Sequence, residues 1–272
     1  MGRSVHLEDW GNYLFAPSKR ERKVRVVVPE PLDAVAFARE KLGFEPDSLQ
    51  AEVLASTANR GILNCSRQWG KSTVAAAKAV HRAYTRPGSL VVVASPSERQ
   101  SGEFLRKVEQ MAARLGIPAR GDGHNTLSLA MPNGSRIVGL PGTEDTVRGF
   151  SAVSLLLIDE AARVPDSIYK ALRPMLALGR GDLWMMSTPY GKQGFFYDTW
   201  EHGGAGWKRV TATAMDCERI SPEFLDEERA VLGAMWFRQE FLCEFVDNGS
   251  GVFDRDLVES AIDDSFSPVE GF

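Results

Sequence analysis

The chain has 272 residues, 43% of them apolar and 25% charged, which excludes compositional disorder and allows one large core or two modest ones. A formal net charge of -4 excludes a protein that coats nucleic acid through bulk charge, although not one with a local basic surface. The three cysteines, Cys65, Cys217 and Cys243, are far apart and lack CxxC spacing, no apolar run reaches the roughly 18 residues of a membrane span, and the N-terminus has no signal-peptide core; a soluble, intracellular protein without disulfides or structural zinc is expected.

Residues 1–30 mix Trp10, Tyr13 and Phe15 with the basic run Lys19-Arg20-Glu21-Arg22-Lys23 and read as an extended arm or linker. Pro31 suits a first helical turn, and Ala34, Val35, Phe37, Ala38 and Leu42 recur at helical spacing up to Gly43, a C-cap candidate. A second helix is expected over 47–58.

From there short apolar runs alternate with amphipathic stretches. Strands are predicted at 61–65, 90–94, 153–158 and 183–187, and helices at 72–84, 97–115, 166–178 and 193–200. Near-continuous apolar strands separated by helices imply an α/β fold with a mainly parallel sheet covered on both faces. Pro132-Asn133-Gly134, flanked by 126–131 and 135–140, predicts an inserted antiparallel hairpin. The span 221–245 returns to helix: Ser221-Pro222-Glu223 supplies a cap and first turn, and Trp236, Phe237, Phe241 and Phe245 an apolar stripe expected to be core. Asn248-Gly249-Ser250-Gly251 looks like a joint.

The segment Cys65-Ser66-Arg67-Gln68-Trp69-Gly70-Lys71-Ser72-Thr73 lies between a strand and a helix and has the form of a Walker A loop. In such a loop backbone N–H groups and the helix N-terminus surround phosphate oxygens, a lysine reaches the terminal phosphates and the next hydroxyl binds magnesium. Lys71 and Ser72 fit those two roles; Cys65 stands where the pattern has its first glycine, while Gly70 is retained. The predicted strand at 153–158 delivers Asp159 and Glu160 at its C-terminal end, the edge where open α/β sheets bind ligands. There Asp159 would hold magnesium, and Glu160 would orient the attacking water or take its proton. Ser187-Thr188-Pro189 ends the next strand, either as a γ-phosphate sensor or as an ordinary turn. Gln50 is either an adenine-contacting amide or a helix-surface glutamine.

Together these residues resemble the terminase large subunit, the DNA-packaging motor of tailed phages, over nearly the whole chain. Ser66-Arg67-Gln68-Trp69-Gly70-Lys71-Ser72-Thr73 is similar to that family's variant Walker A, in which arginine and glutamine precede Gly-Lys and the first glycine is often absent. Arg148-Gly149-Phe150 before Asp159-Glu160-Ala161-Ala162 resembles its Arg-Gly element and Walker B motif, Ser187-Thr188-Pro189 its coupling motif, and Gln50 its adenine-contacting glutamine. The resemblance implies a P-loop NTPase of the RecA/ASCE type, with ATP and Mg2+ as ligands, that pumps double-stranded DNA into a procapsid. Implied partners are the portal protein, the small terminase subunit and further copies of the chain in a ring, in the host cytoplasm and with no membrane. It also implies an arginine acting on a neighbour's site, for which Arg148 is the candidate beside an ordinary structural ion pair. Arg67 would touch phosphate or switch between states. Arg99, Arg106, Lys107, Arg114 and Arg120 are read either as one DNA-facing surface or as solvated helix charges.

The expected organisation is an arm at 1–30, an ATPase domain with a small helical region at 31–247, and a linker at 248–272. Full-length members of the family carry a nuclease domain as well; none is expected in these residues, nor nuclease activity. Rival readings are a DExx helicase-like translocase, an ATP-binding regulatory module with little turnover, and a particle adaptor with a vestigial loop.

Overall fold

The computed structural model describes residues 33–141 and 149–247. The arm, Pro31, Arg148 and the segment 248–272 lie outside the described residues.

The strands are β1 (Arg60–Cys65), β2 (Leu90–Ser95), β3 (Ser128–Ala130), β4 (Arg136–Pro141), β5 (Leu155–Asp159), β6 (Asp182–Ser187) and β7 (Lys208–Ala212). They form one sheet in the order β3-β4-β2-β5-β6-β1-β7, in which every pairing is parallel except that of β3 with β4. The helices are α1 (Ala34–Glu40), α2 (Ser48–Ala55), α3 (Lys71–Thr85), α4 (Glu98–Arg114), α5 (Asp166–Leu172), α6 (Gly194–His202), α7 (Pro222–Leu232) and α8 (Ala234–Leu242). Among the described residues no helix is long and apolar enough to cross a membrane.

The strands read as continuous apolar runs because both of their faces are covered. Leu63, Val91, Val93, Leu155, Leu157 and Trp184 pack with α1, α2, α3 and α4. Their neighbours Ile62, Val92, Leu156, Ile158, Leu183 and Met185 pack with α5 and α6 on the opposite side. Successive side chains of a strand point to opposite faces, so one run supplies both cores. Gly61 of β1 has no alternative residue: a Cβ there would run into the Trp184 ring across the β1–β6 pair.

The α/β architecture, its mainly parallel sheet and the inserted hairpin are those read from the sequence, with several local corrections. The second helix covers 48–55, with Asp47 and Gln50 closing a capping box, and stops where Ser56 turns extended. The helix expected over 166–178 is regular only to Leu172; Pro174, which has no N–H to donate, leaves the rest as a 3-10 turn, Arg173–Leu176. Gly233, at φ 78°, splits 221–245 into α7 and α8. The apolar stripe splits with it. Phe237 and Phe241 are buried in a small cluster with Ala214 and Leu225, Phe245 packs on Phe196, Tyr197 and Trp200, and Trp236 remains half exposed. Strand β7 has no counterpart among the strands expected from the sequence: it is a short edge strand that opens with two charged residues and buries only Val210 and Ala212.

Candidate nucleotide-binding site

The C-terminal ends of β1, β5 and β6 lie side by side, and the loop from β1 into α3 passes over them. Cys65 is the last residue of β1, paired with Ala212 of β7, and its thiol is buried. The glycine-free entry is thus accounted for: the chain is still extended at Cys65, and the left-handed backbone angles of this loop fall later, at Gln68 (φ 66°) and Gly70 (φ 102°). Ser66 N–H donates to the Ala212 carbonyl at 2.8 Å, tying the loop's first residue to the sheet edge.

Trp69 is fully buried and its ring belongs to the core, so its contribution to the site is its backbone. Its carbonyl accepts from Gln50 Nε2 at 2.8 Å and from an Arg219 terminal nitrogen at 2.7 Å. These two bonds hold the carbonyl ahead of Gly70, where a Cβ would lie 3.1 Å from Gln50 Nε2. Gln50 Oε1 also accepts from Asp47 N–H at 3.1 Å. The amide read as an adenine contact therefore also braces the loop. Ser66 is buried, while Arg67, Gln68, Gly70, Lys71, Ser72 and Thr73 face a cavity of about 660 Å³.

Lys71 Nζ lies 3.3 Å from Glu160 Oε1 and 3.3 Å from Thr188 Oγ1. Ser72 Oγ donates to Asp159 Oδ2 at 2.9 Å. Lysine, hydroxyl and two carboxylates of the predicted motifs thus meet Thr188 at one point. Ser187 and Thr188 are buried, Ser187 Oγ donating to the Thr188 carbonyl at 2.7 Å, and the following Pro189 is buried as well. Burial pushes the Asp159 carboxyl up from its ordinary value, the adjacent Glu160 charge adds to the rise, and Lys71 and Ser72 act against it. A buried carboxylate beside a hydroxyl, both hard oxygen donors with a charge to neutralise, fits a magnesium ion that takes its remaining ligands from water and phosphate. Ser72 and Asp159 are the residues that would hold it.

Residues not singled out from sequence complete the site. Glu160 sits at φ 50°, ψ 43°, and its Oε2 accepts from Arg163 at 3.3 Å. Arg163 also donates to Glu240 Oε1 on α8 at 3.3 Å and stacks on the Tyr190 ring, 4.9 Å from its centroid. Arg67 donates to Glu240 Oε2 at 2.6 Å. Arg219 and Phe44 line the cavity beside Gln50. Arg163 alone lies near a sequence signal, as the residue that follows Asp159-Glu160-Ala161-Ala162; Arg219 and Glu240 arrive from 150 and 173 residues beyond their partners, with no local pattern.

The sequence model for the terminase large subunit, T4likevirus-type, N-terminal, matches residues 62–260. The large terminase subunits of Thermus virus P23-45 and Thermus phage G20c are 29% and 28% identical over 251 residues, covering 79% of this chain and 51% of each relative. The chain thus spans about half the length of the curated relatives it matches. The Thermus phage P74-26 large terminase ATPase domain superimposes with a TM-score of 0.67 at 26% identity, over 79% of this chain and all of that one. The HK97 bacteriophage large terminase gives a TM-score of 0.67 at 15% identity, over 85% of this chain and 58% of that one, a likeness of fold. With the match extending over most of its length, the chain belongs to the T4likevirus-type terminase large subunits, to whose N-terminal region it corresponds.

Proposed function

We propose that the chain is the ATPase motor region of a terminase large subunit, hydrolysing ATP with magnesium to drive double-stranded DNA into a procapsid. The observation that carries this reading is Lys71 Nζ lying 3.3 Å from both Glu160 and Thr188, beside the Ser72–Asp159 hydrogen bond. Phosphoryl transfer requires little covalent chemistry from the protein, and positioning with electrostatic stabilisation dominates. The loop N–H groups and the α3 N-terminus receive the phosphates, Lys71 neutralises charge on the terminal ones, and Glu160 takes a proton from the attacking water. Bound magnesium would supply charge neutralisation between the phosphates and Asp159.

Ser187-Thr188-Pro189 is the coupling element. Thr188 shares Lys71 with Glu160, so loss of the terminal phosphate is felt directly at the end of β6. Arg67 reaches phosphate by leaving Glu240, and Arg148 acts on a neighbouring copy's site within a ring. The portal protein and the small terminase subunit are the proposed partners, with docking on the procapsid in the host cytoplasm. The proposed organisation is an arm at 1–30, the ATPase domain at 31–247 and a linker at 248–272. DNA contact is assigned to a basic surface that includes Arg99, Arg106 and Arg114, all exposed on α4.

The test is steady-state ATP hydrolysis with magnesium over a range of protein concentrations, with and without double-stranded DNA. Turnover per chain that rises with concentration and is lost in Arg148→Ala supports a shared site in a ring. Absence of turnover under every condition removes the motor reading.

A further inference from the structure

Both carboxylate oxygens of Glu160 are engaged, Oε1 by Lys71 and Oε2 by Arg163, each at 3.3 Å. Its left-handed backbone is uphill for a residue with a Cβ and persists only where the surroundings enforce it. Arg163, at the end of the 3-10 turn Ala161–Arg163, is itself fixed on three sides, by Glu160, by Glu240 Oε1 and by the face of Tyr190. Glu240 is a nearly buried carboxylate, its side chain 6% exposed, and it lies between two guanidinium groups, those of Arg163 and Arg67. The helix that carries it, α8, packs on α7 and on the 3-10 turn Ala214–Asp216.

The two cations on Glu160 are not equivalent. Lys71 belongs to the phosphate loop, and on the proposed function it is drawn to the terminal phosphates when nucleotide enters. That movement frees Oε1 to face a water molecule. Arg163 belongs to the same turn as Glu160 and its other partners are a carboxylate and an aromatic ring, so Oε2 stays held. A general base is effective only when aimed, and a third group that orients the base is the usual way to aim it. We propose that Arg163 is the positioning residue for Glu160 and that Glu240 anchors Arg163, so that the aim of the catalytic carboxylate depends on the seating of α7 and α8. The inference rests on ATP hydrolysis at this site.

The experiment uses the whole chain and compares wild type with Arg163→Gln, Glu240→Gln and Arg163→Lys. It measures kcat and KM for ATP, affinity for magnesium-ATPγS, and amide hydrogen exchange in α8 of the wild type with and without that analogue. Both glutamine variants are expected to lose about 10-fold in kcat while analogue affinity stays within about 2-fold, because orientation is felt in the transition state and not in binding. Arg163→Lys keeps one charged donor for Glu160 and is expected to recover part of the loss. Exchange in α8 is expected to change when the analogue binds. A kcat that is unchanged or raised in both glutamine variants overturns the proposal. So does a fall in affinity proportional to the fall in kcat, which marks groups that only build the pocket. Unchanged exchange in wild-type α8 overturns the anchor role without recourse to any variant. Wild-type chain without turnover defeats the hydrolase reading itself, whereas active wild type with unaffected variants defeats only the positioning assignment.

Discussion

Ser72 Oγ donates to Asp159 Oδ2 at 2.9 Å, joining the first turn of α3 to the end of β5 although β6 separates β5 from β1 in the sheet. The bond closes the gap over which the terminal phosphate and its metal would sit. Asp159→Asn keeps an acceptor for Ser72 and removes a buried charge set beside Glu160. Without nucleotide, that variant is expected to unfold at higher temperature than wild type, by on the order of 1 kcal/mol in stability. Titrations of nucleotide affinity against magnesium should show the metal dependence lost. A lower melting temperature would mean that the carboxylate is structurally required.

Glu160→Gln preserves volume and removes the proposed proton acceptor. Turnover is expected to fall about 10²- to 10⁴-fold, the usual worth of general base catalysis. Nucleotide affinity should be retained, as read by equilibrium binding of a fluorescent ATP analogue. Residual turnover near the wild-type level would move the base elsewhere.

The Trp69 carbonyl is held by Gln50 and Arg219 together. Removing either donor leaves a buried acceptor with one bond fewer, and the loop ahead of Gly70 loses part of its preorganisation. Gln50→Ala and Arg219→Ala are each expected to weaken ATP binding about 10-fold with a smaller effect on kcat. Isothermal titration with a non-hydrolysed analogue, set beside steady-state kinetics, checks the split between the two parameters.

Lys78, buried on α3, donates to the carbonyls of Val53 and Ser56 and lies over the Trp184 ring. Burial, helped by the nearby Arg82 charge, lowers its pKa from 10.5 to about 8. The cost of the buried cation is therefore fully present below about pH 8 and is relieved as pH rises toward 10.5, where the unfolded chain also gives up its proton. Relative to Lys78→Met, the wild type should gain about 3 kcal/mol of stability across that window. Urea unfolding of both proteins at several pH values isolates this slope from the other titrating lysines. Parallel curves would refute the assignment.

The elements legible in the sequence are those whose signal is local. Strands β1, β2, β5 and β6 are buried on both faces and read as apolar runs, and Gly70-Lys71-Ser72 and Asp159-Glu160 stand at their ends. Thr188 follows the next strand directly, and its contact with Lys71 follows from β6 lying beside β1. The rest depends on contacts that no window contains. Glu240 looks like one more polar residue of an amphipathic helix, and only the return of α8 to the sheet's edge brings it against Arg67 and Arg163. Arg219 sits in a connection with no periodicity. Strand β7, half exposed and opened by Lys208 and Arg209, has the composition of a loop and becomes a strand because β1 offers it an unpaired edge.

The place of β1 in the sheet also governs when the chain can fold. Its neighbours on either side are β6 and β7, so Arg60 waits for Leu183 and Gly61 for Lys208. Pairings so distant in sequence are slow, since loop-closure entropy is spent before contacts repay it, and an unpaired apolar strand invites association with other chains. During synthesis the phosphate loop is therefore finished only after more than four-fifths of the described fold has emerged, and nucleotide has no completed cradle with which to pull an earlier intermediate toward the native state. Yield from refolding should depend on how quickly the 183–212 region collapses onto the N-terminal strand, with added nucleotide protecting the finished product and doing little for the nascent one.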